Sequence, residues 1–204
     1  MNINDQPIEY VRGFAEFLGC KIDLSKKPLI PRPETEFWVE KAIEIIKMGV
    51  SLPVRVLDVF AGSGCIGAAV LKHIKNAKVD FADIEDKGVG HKTIKSDVFK
   101  NIKGKYDYIF ANPPYIPIKN KNKIQMSVLK YEPHKALFGG ADGLFCIRKF
   151  LKDAKNHLNS GGKIFMEFSP EQKKEIEKLA EKYGYKNHKF CKDQYGKWRY
   201  VVIG

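Results

Sequence analysis

Short segments rich in β-branched and aromatic residues alternate along this sequence with longer segments whose apolar residues recur at a helical period. This alternation predicts a parallel β-sheet with helices packed against its faces. The predicted strands cover residues 54–59, 78–84, 93–96, 106–111 and 163–168. The predicted helices cover residues 34–48, the segment from a glycine-rich loop to about residue 75, and residues 144–158 and 171–183. The pattern therefore indicates an α/β fold.

A hairpin is predicted at the C-terminus. Strands near 185–190 and 197–203 flank a turn at Tyr195-Gly196, and their proximity favours an antiparallel pair that closes the sheet edge. Together with the five earlier strands, this pair makes a mostly parallel sheet of seven strands with a C-terminal antiparallel hairpin.

The N-terminal region is predicted to be a small appendage to a single domain. Residues 1–30 form a short stub followed by a hairpin with Gly19 at its turn. A chain of 204 residues with 44% hydrophobic content is large enough for one core, and no internal repeat or low-complexity tract divides it. We therefore expect residues 1–204 to form one domain.

Cysteine and histidine spacing argues against a metal site. The four cysteines include no Cys-x-x-Cys pair and the five histidines no His-x-x-x-His pair, so structural zinc and a disulfide framework are not expected. The longest uncharged stretch, between Asp58 and Lys72, is shorter than the roughly 20 apolar residues that span a bilayer. Asp5 and Glu9 do not fit the basic start of a signal peptide. We expect a cytoplasmic protein without metal or membrane contact.

The charge of the chain is strongly basic, with a net charge of +12 that comes mostly from lysine and only five arginines. Lysines displace counterions from phosphates, which favours a nucleic-acid partner, but base readout favours arginine. Five lysines lie in residues 119–135, which we expect to form a rim over the substrate. Weak RNA contact through this lysine-rich surface and a simply solvated surface both remain open.

The predicted strand 54–59 runs directly into a glycine-rich loop and then into a helix. Such a turn lets the backbone approach a ligand at the carboxyl end of the strand. The signal alone is weak, and a plain tight turn is the alternative. The Gly-Lys-Ser/Thr sequence of a phosphate loop is missing. The full dinucleotide-binding register is also missing, because its third glycine, Gly67, falls inside the predicted helix. The candidate cofactor-binding residues are Phe60, Ala61, Gly62, Ser63 and Gly64.

Acidic residues follow the next two predicted strands. Asp83 closes the second strand about 20 residues after the glycines, where a carboxylate can accept both ribose hydroxyls of an adenosine group. Glu85 competes for this role, and a surface acid is the alternative reading. Asp97 follows the third strand and is a candidate partner for an adenine amino group, with Val98 packed on the ring.

The most informative motif is Asn112-Pro113-Pro114-Tyr115, which follows the fourth predicted strand. The Asn112 side-chain carbonyl and the Pro113 backbone carbonyl can accept both hydrogens of an –NH₂ group, because two prolines stiffen the turn. The aromatic face of Tyr115 can stack on a planar amide or base. These four residues are therefore the candidate catalytic residues, acting by alignment of a planar nitrogen rather than through a strong base. A structural turn is the alternative.

With these residues in hand, the sequence resembles the release factor glutamine methyltransferases from about Pro7 to its C-terminus. The glycine-rich loop and the Asn-Pro-Pro-Tyr motif are shared with many methyltransferases, whereas two other segments are more specific. The matching segments are Ile-Pro-Arg-Pro-Glu-Thr-Glu at 30–36, Asn-Pro-Pro-Tyr at 112–115, the stretch from Tyr-Glu-Pro-His to Asp-Gly-Leu at 131–144, and the ending at 192–202.

The resemblance implies a class I S-adenosylmethionine-dependent methyltransferase with a Rossmann-like fold. It implies that the substrate is the glutamine side-chain amide in the Gly-Gly-Gln loop of peptide chain release factors, which act in translation termination. Asn112 and the Pro113 carbonyl would hold this amide. The family's cofactor-contact positions correspond here to Phe60 through Gly64, Asp83, Val98 and Asn112.

Three features depart from the family pattern. Members usually carry a helical N-terminal domain that helps to dock the release factor, and only a few residues precede Tyr10 in this sequence. The glycine-rich loop usually begins with glycine where this chain has Phe60, which could narrow the cofactor cleft. Only nine residues separate Asp83 from Thr93, fewer than a crossover with its helix normally needs. We therefore expect that helix to be missing.

Two further functions stay open at this stage. A nucleic-acid methyltransferase acting on an exocyclic adenine amine could use the same grip, although it would need a flipped or single-stranded base and usually a recognition domain. A degenerate fold that serves only as a binding partner is the other alternative, and the short crossover motivates it.

Overall fold

The computed structural model describes residues 5–49, 53–87 and 90–204, so the first four residues of the N-terminal stub lie outside it. The helices are α1 (Ile8–Arg12), α2 (Pro33–Gly49), α3 (Cys65–His73), α4 (Met126–Tyr131), α5 (His134–Leu137), α6 (Phe145–Asp153) and α7 (Lys173–Lys182). The strands are β1 (Phe14–Phe17), β2 (Cys20–Asp23), β3 (Arg55–Val59), β4 (Lys78–Asp83), β5 (Thr93–Lys95), β6 (Tyr106–Ala111), β7 (Leu158–Glu167), β8 (His188–Lys192) and β9 (Trp198–Ile203).

Seven strands form one sheet in the order β5-β4-β3-β6-β7-β9-β8. The first five in this order run parallel, while β9 is antiparallel to both β7 and β8. The predicted α/β fold with a C-terminal antiparallel hairpin is therefore confirmed. The chain order reverses between β3 and β6, and ligands of open α/β sheets bind at the carboxyl ends of strands at such a switch point.

The core consists of two apolar layers, one on each face of the sheet. Alternate residues of β6 point to opposite layers: Phe110 belongs to the layer with α2 and α3, and Ile109 to the layer with α6 and α7. This period of two is what a strand covered by helices on both faces requires. The predicted N-terminal hairpin is confirmed as the antiparallel pair β1–β2, which packs on the layer of α2 and α3.

The predicted boundary between the third helix and the fifth strand was wrong. We placed a helix over 144–158 and the strand over 163–168, whereas α6 ends at Asp153 and β7 already begins at Leu158. Leu158 pairs with Tyr106, and the register shifts before the next pair, so Gly161-Gly162 lies in an irregular part of β7. Gly161 takes a φ of +76°, which glycine adopts without steric cost. The glycine pair therefore allows an irregularity in the strand rather than ending the helix.

The first strand of the C-terminal hairpin begins three residues later than predicted, at His188 rather than residue 185. Tyr185 instead anchors the end of α7. Its amide donates to the carbonyl of Ala180, and its hydroxyl donates to the carbonyl of Leu151 at 2.7 Å.

The connection between β4 and β5 is short, as predicted. The two strands pair in parallel from Phe81↔Thr93 to Asp83↔Lys95, and the described residues between them, 84–87 and 90–92, contain no helix. Within the described residues, no helix has the length and apolar character needed to span a membrane.

Candidate active site

The glycine-rich loop turns sharply from β3 into α3. Gly62 and Gly64 take φ angles of +54° and +76°, in the region where a Cβ is disfavoured, and Gly64 is the residue at which α3 begins. The amide of Ala61 donates to the carbonyl of Ala82 at 3.1 Å, which ties the loop to the end of β4. The loop therefore holds its backbone at the carboxyl edge of the sheet.

Phe60 occupies the position at which the resemblance leads us to expect glycine. Its φ of +62° lies in the left-handed region, so the backbone keeps a shape that suits glycine although the residue has a side chain. Its ring lies 6.2 Å from that of Phe150 and packs on the layer beneath the loop. We infer that this packing offsets backbone strain of about 1–2 kcal/mol.

Asp58, the penultimate residue of β3, is fully buried, and our sequence analysis missed it as a site residue. Its Oδ2 accepts a hydrogen bond from the amide of Gly67 at 2.9 Å, and its Oδ1 has no partner among the described residues. Burial raises the pKa of this carboxyl to about 7. The residue clamps the first turn of α3 to the strand that precedes the loop.

Asp83 ends β4 beside the loop. Its Oδ2 accepts from the amide of Gly62 and its Oδ1 from the amide of Glu85, both at 2.9 Å. Burial raises the pKa of Asp83, whereas hydrogen bonds from Lys135 and Lys87 lower the pKa of the exposed Glu85. Asp83 is thus hydrogen-bonded to the glycine-rich loop, while Glu85 is hydrogen-bonded to two lysines.

Asp97 and Val98 follow β5 on the opposite side of the loop. Asp97 is half exposed and forms an ion pair with Lys149 at 2.6 Å. Val98 is buried and has a φ of +54°, and its carbonyl accepts from the hydroxyl of Ser96 at 2.8 Å. This tight turn brings both residues to the same concave surface.

These elements surround a cavity of about 450 Å³ at the carboxyl ends of β3, β4 and β6. The volume is within the range of ligand pockets, about 300–1,000 Å³. The predicted site residues that line it are Phe60, Ala61, Gly62, Ser63, Asp83, Asp97, Val98, Asn112 and Pro114. Of the predicted cofactor residues only Gly64 does not line this cavity, because it begins α3 beneath the loop.

A smaller cavity of about 120 Å³ adjoins the first, and the end of β6 separates them. Asn112 lines both cavities, whereas Pro113 and Tyr115 line only the smaller one. The small cavity is large enough for about four water volumes, which is the scale of a single polar side chain. The Asn-Pro-Pro-Tyr motif therefore stands between a large compartment and a small one.

The two segments specific to the resembled family are joined by a partly buried ion pair. Arg32 donates to Oε1 of Glu132 at 2.6 Å, and the amide of Ile30 donates to Oε2 of Glu132 at 3.2 Å. The Glu132 side chain is only 1% exposed, and both of its oxygens accept a hydrogen bond from residues 30–32. Arg32 lines both cavities. The pair therefore fixes residues 28–32 as one wall of the site.

A carboxylate that our sequence analysis missed lies behind Asn112. Glu167 at the end of β7 is buried, and its Oε2 accepts from the Thr35 hydroxyl at 2.7 Å and from Trp38 Nε1 at 2.6 Å. Its Oε1 accepts from the Tyr115 hydroxyl at 2.9 Å. Asn112 Nδ2 in turn donates to Thr35 Oγ1 at 3.3 Å. The sequence did carry one signal for Glu167, because it is an acidic residue near the end of a predicted parallel strand.

The rim over the site is basic. Lys119, Lys121 and Lys123 are exposed on the 3₁₀ turn Ile118–Lys123, and none of them has an ion-pair partner in the described ranges. Lys135 instead pairs with Glu85 at 2.7 Å. Across residues 5–49, 53–87 and 90–204, no cluster of three or more His, Cys, Asp or Glu could hold a metal ion.

Comparisons with known proteins agree with this geometry. Residues 43–140 match the family model of the Methyltransferase small domain. The release factor glutamine methyltransferase of Flavobacterium psychrophilum is 35% identical over 214 residues, covering 97% of this chain and 75% of that protein. The enzyme of the same name from Streptococcus pneumoniae is 35% identical over 211 residues, with the same two shares.

A solved structure shows the same fold. It is the release-factor-specific protein-(glutamine-N5) methyltransferase of Alicyclobacillus acidocaldarius, with a TM-score of 0.57 and 25% identity over 86% of this chain and 93% of that one. Sequence identity above 30% along nearly the whole chain, together with this fold, identifies the protein as a member of the release factor glutamine methyltransferase family.

Proposed function

We propose that this protein transfers a methyl group from S-adenosylmethionine to the side-chain amide nitrogen of the glutamine in the Gly-Gly-Gln loop of peptide chain release factors. The observation that carries the proposal is the position of Asn112 at the junction of two cavities of very different size. The large one suits a nucleoside-containing methyl donor and the small one suits the end of a glutamine side chain. The reacting atoms would meet at Asn112.

The large cavity fits the cofactor in shape and chemistry. It lies at the switch point of the sheet beside a glycine-rich loop, and Asp83 at its edge provides an acidic acceptor for ribose hydroxyls. Asp97 and Val98, which also line the cavity, would contact the adenine, and the backbone of residues 60–63 would contact the remainder of the cofactor. S-adenosylmethionine supplies an electrophilic methyl group there.

The small cavity fits a primary amide. Asn112 Oδ1 and the Pro113 carbonyl would accept the two hydrogens of the –NH₂ group, which fixes the nitrogen and turns its lone pair towards the large cavity. Tyr115 provides an aromatic wall for the planar amide. The substrate nitrogen would form a bond to the methyl carbon and lose one proton to solvent, while the donor's sulfur–methyl bond would break and leave a neutral thioether. Because an amide lone pair is delocalised, alignment and polarisation carry the catalysis.

A cofactor-binding and transfer experiment tests this function. The purified chain is incubated with a release factor and radiolabelled S-adenosylmethionine, next to a release factor whose Gly-Gly-Gln glutamine is changed to alanine. Label on the wild-type factor alone supports the proposal. Cofactor binding by calorimetry without any transfer would turn the assignment towards another substrate, and absence of both would contradict an enzymatic role.

The lysine-rich rim adds a second, weaker contact to this proposal. Lys119, Lys121 and Lys123 are exposed on one turn that follows Ile116, a residue of the small cavity, and none of them forms an ion pair in the described part of the chain. Three cations on one short turn suit the negatively charged phosphate backbone of RNA. Acidic side chains at the same place would repel that backbone. The contact would be independent of sequence, because these lysines offer no arginine fork for base edges.

A further inference from the structure

The hydrogen-bond directions around Glu167 follow from the chemistry of its neighbours. Trp38 Nε1 can only donate, so Oε2 of Glu167, which it contacts at 2.6 Å, must be an acceptor. The Thr35 hydroxyl lies 2.7 Å from the same oxygen and therefore gives its single hydrogen to Glu167. Both side chains are almost fully buried, so water does not replace these partners.

This assignment leaves Thr35 Oγ1 with only lone pairs towards Asn112. Of the two ends of the Asn112 carboxamide, only the –NH₂ end can donate to a lone pair, and Nδ2 lies 3.3 Å from Thr35 Oγ1. The carbonyl end, Oδ1, is then turned away from Thr35. Because Asn112 lines both cavities, this orientation presents an acceptor to the site.

We infer that Thr35 and Glu167 are positioning residues that hold the Asn112 carboxamide with its oxygen facing the substrate amide. The inference rests on the proposed function, in which Asn112 Oδ1 accepts a hydrogen from the substrate –NH₂. A carboxamide rotated by 180° would present its own –NH₂ group to that of the substrate, and two donors repel. Asn112 donates to Thr35 and Thr35 donates to Glu167, which also accepts from Trp38, and this order of donors and acceptors excludes the rotated form.

The inference also connects two parts of the sequence with the catalytic motif. Thr35 belongs to the Pro-Arg-Pro-Glu-Thr-Glu segment at the start of α2, and Glu167 lies 132 residues later at the end of β7. Neither residue needs to touch the transferred methyl group. The effect of Thr35 passes through Asn112, whereas Glu167 also accepts from the Tyr115 hydroxyl, so the test is made at Thr35.

The test is a double-mutant cycle between Thr35 and Asn112. Thr35→Val keeps the shape of the side chain and removes its hydroxyl. We expect kcat for glutamine methylation to fall on the order of 10-fold to 100-fold, with little change in the calorimetric affinity for S-adenosylmethionine. In an Asn112→Ala background, the same Thr35→Val change should have no further effect on kcat. Thr35→Ser, which restores a hydroxyl, should recover most of the lost rate.

The controls separate this inference from the proposed function and from loss of structure. Thr93→Val makes the same chemical change at the only other threonine of the sequence, which lies on β5, and should retain the wild-type rate. A wild-type enzyme that does not methylate the glutamine would contradict the proposed function. A functional wild type with an equally active Thr35→Val variant would overturn the inference, as would equal losses in both backgrounds. If Thr35→Val does not fold, Thr35→Ala carries the same cycle.

Discussion

Asp58, Asp83 and Glu167 lie at the candidate site, and each of these carboxyl groups is held differently. Glu167 receives three side-chain donors and Asp83 receives two backbone amides, whereas Asp58 receives one amide, from Gly67, and leaves Oδ1 without a partner in the described part of the chain. Burial raises the pKa of all three. Asp58 has the fewest hydrogen-bond donors to stabilise its negative charge, so we expect its protonation state to depend most strongly on pH.

Asp58 should make the folded protein less stable as pH rises. Its pKa is about 7 in the folded chain against 3.8 for a free side chain, so between about pH 4 and pH 7 the folded state binds the extra proton. In this window the group lowers the free energy of unfolding with a slope of up to about 1.4 kcal/mol per pH unit. The loss is complete above about pH 7.

Asp58→Asn tests this because asparagine imitates the protonated form and can still accept from Gly67. Urea unfolding of both proteins at several pH values between 4 and 8 should give a flatter pH dependence for the variant. The Asp83 and Glu167 carboxyls contribute equally to both proteins. Identical slopes would show that Asp58 does not titrate in this range.

At the scale of secondary-structure elements, the site depends on how closely α3 approaches β4. Gly67 lies on the buried face of α3, and a Cβ built there would stand 2.6 Å from Cζ of Phe81 on β4. Phe81 is itself buried and stacks on His91 at 4.6 Å. The absence of a side chain at Gly67 therefore lets the helix that begins at the loop lie against the strand that ends at Asp83.

We expect Gly67→Ala to destabilise the protein by about 1–3 kcal/mol, because the added methyl group overpacks this contact and outweighs the higher helix propensity of alanine. Thermal unfolding measures the effect. Gly49→Ala, at the end of α2 where nothing lies within 4 Å of the added Cβ, is the matched control and should be neutral or stabilising. A Gly67→Ala variant as stable as the control would contradict the account of this packing.

At the scale of the whole molecule, two features define the active edge: a sheet whose strand order reverses at β3 and β6, and a basic rim above it. The first places the two cavities side by side. The second is the turn Ile118–Lys123, whose three exposed lysines lack ion-pair partners in the described residues. The rim is therefore the surface on which contact with an RNA backbone can be measured.

Replacement of Lys119, Lys121 and Lys123 by glutamine should weaken RNA binding in a salt-dependent way. Three lost contacts with a single strand reduce the slope of log affinity against log salt by about 2. Fluorescence anisotropy with a single-stranded RNA at several salt concentrations measures it. Replacement of three other exposed lysines, Lys174, Lys182 and Lys186, provides the matched control. Equal slopes for wild type and rim variant would contradict the proposed contact.

The sequence was sufficient to predict the succession of strands and helices along the chain, the terminal hairpin and the missing crossover helix, because each depends on local pattern and chain length. The boundary at Leu158 was not predictable, since Gly161-Gly162 resembles a helix stop and only its pairing with β6 shows otherwise. The Thr35–Glu167 bond joins residues 132 positions apart. Neither residue has a local signal for that contact, so the support of Asn112 emerges only from the folded chain.

The measurement that tests the central claim most directly is the chemical location of the transferred methyl group. A release factor treated with the enzyme and S-adenosylmethionine is digested, and the peptide containing Gly-Gly-Gln is fragmented in a mass spectrometer. We predict one added methyl group on the glutamine side-chain nitrogen, and a much lower yield of the same product when Asn112→Ala replaces the wild-type enzyme. A methyl group on any other residue, or an equal yield from Asn112→Ala, would contradict the proposed role of Asn112 in gripping the glutamine amide.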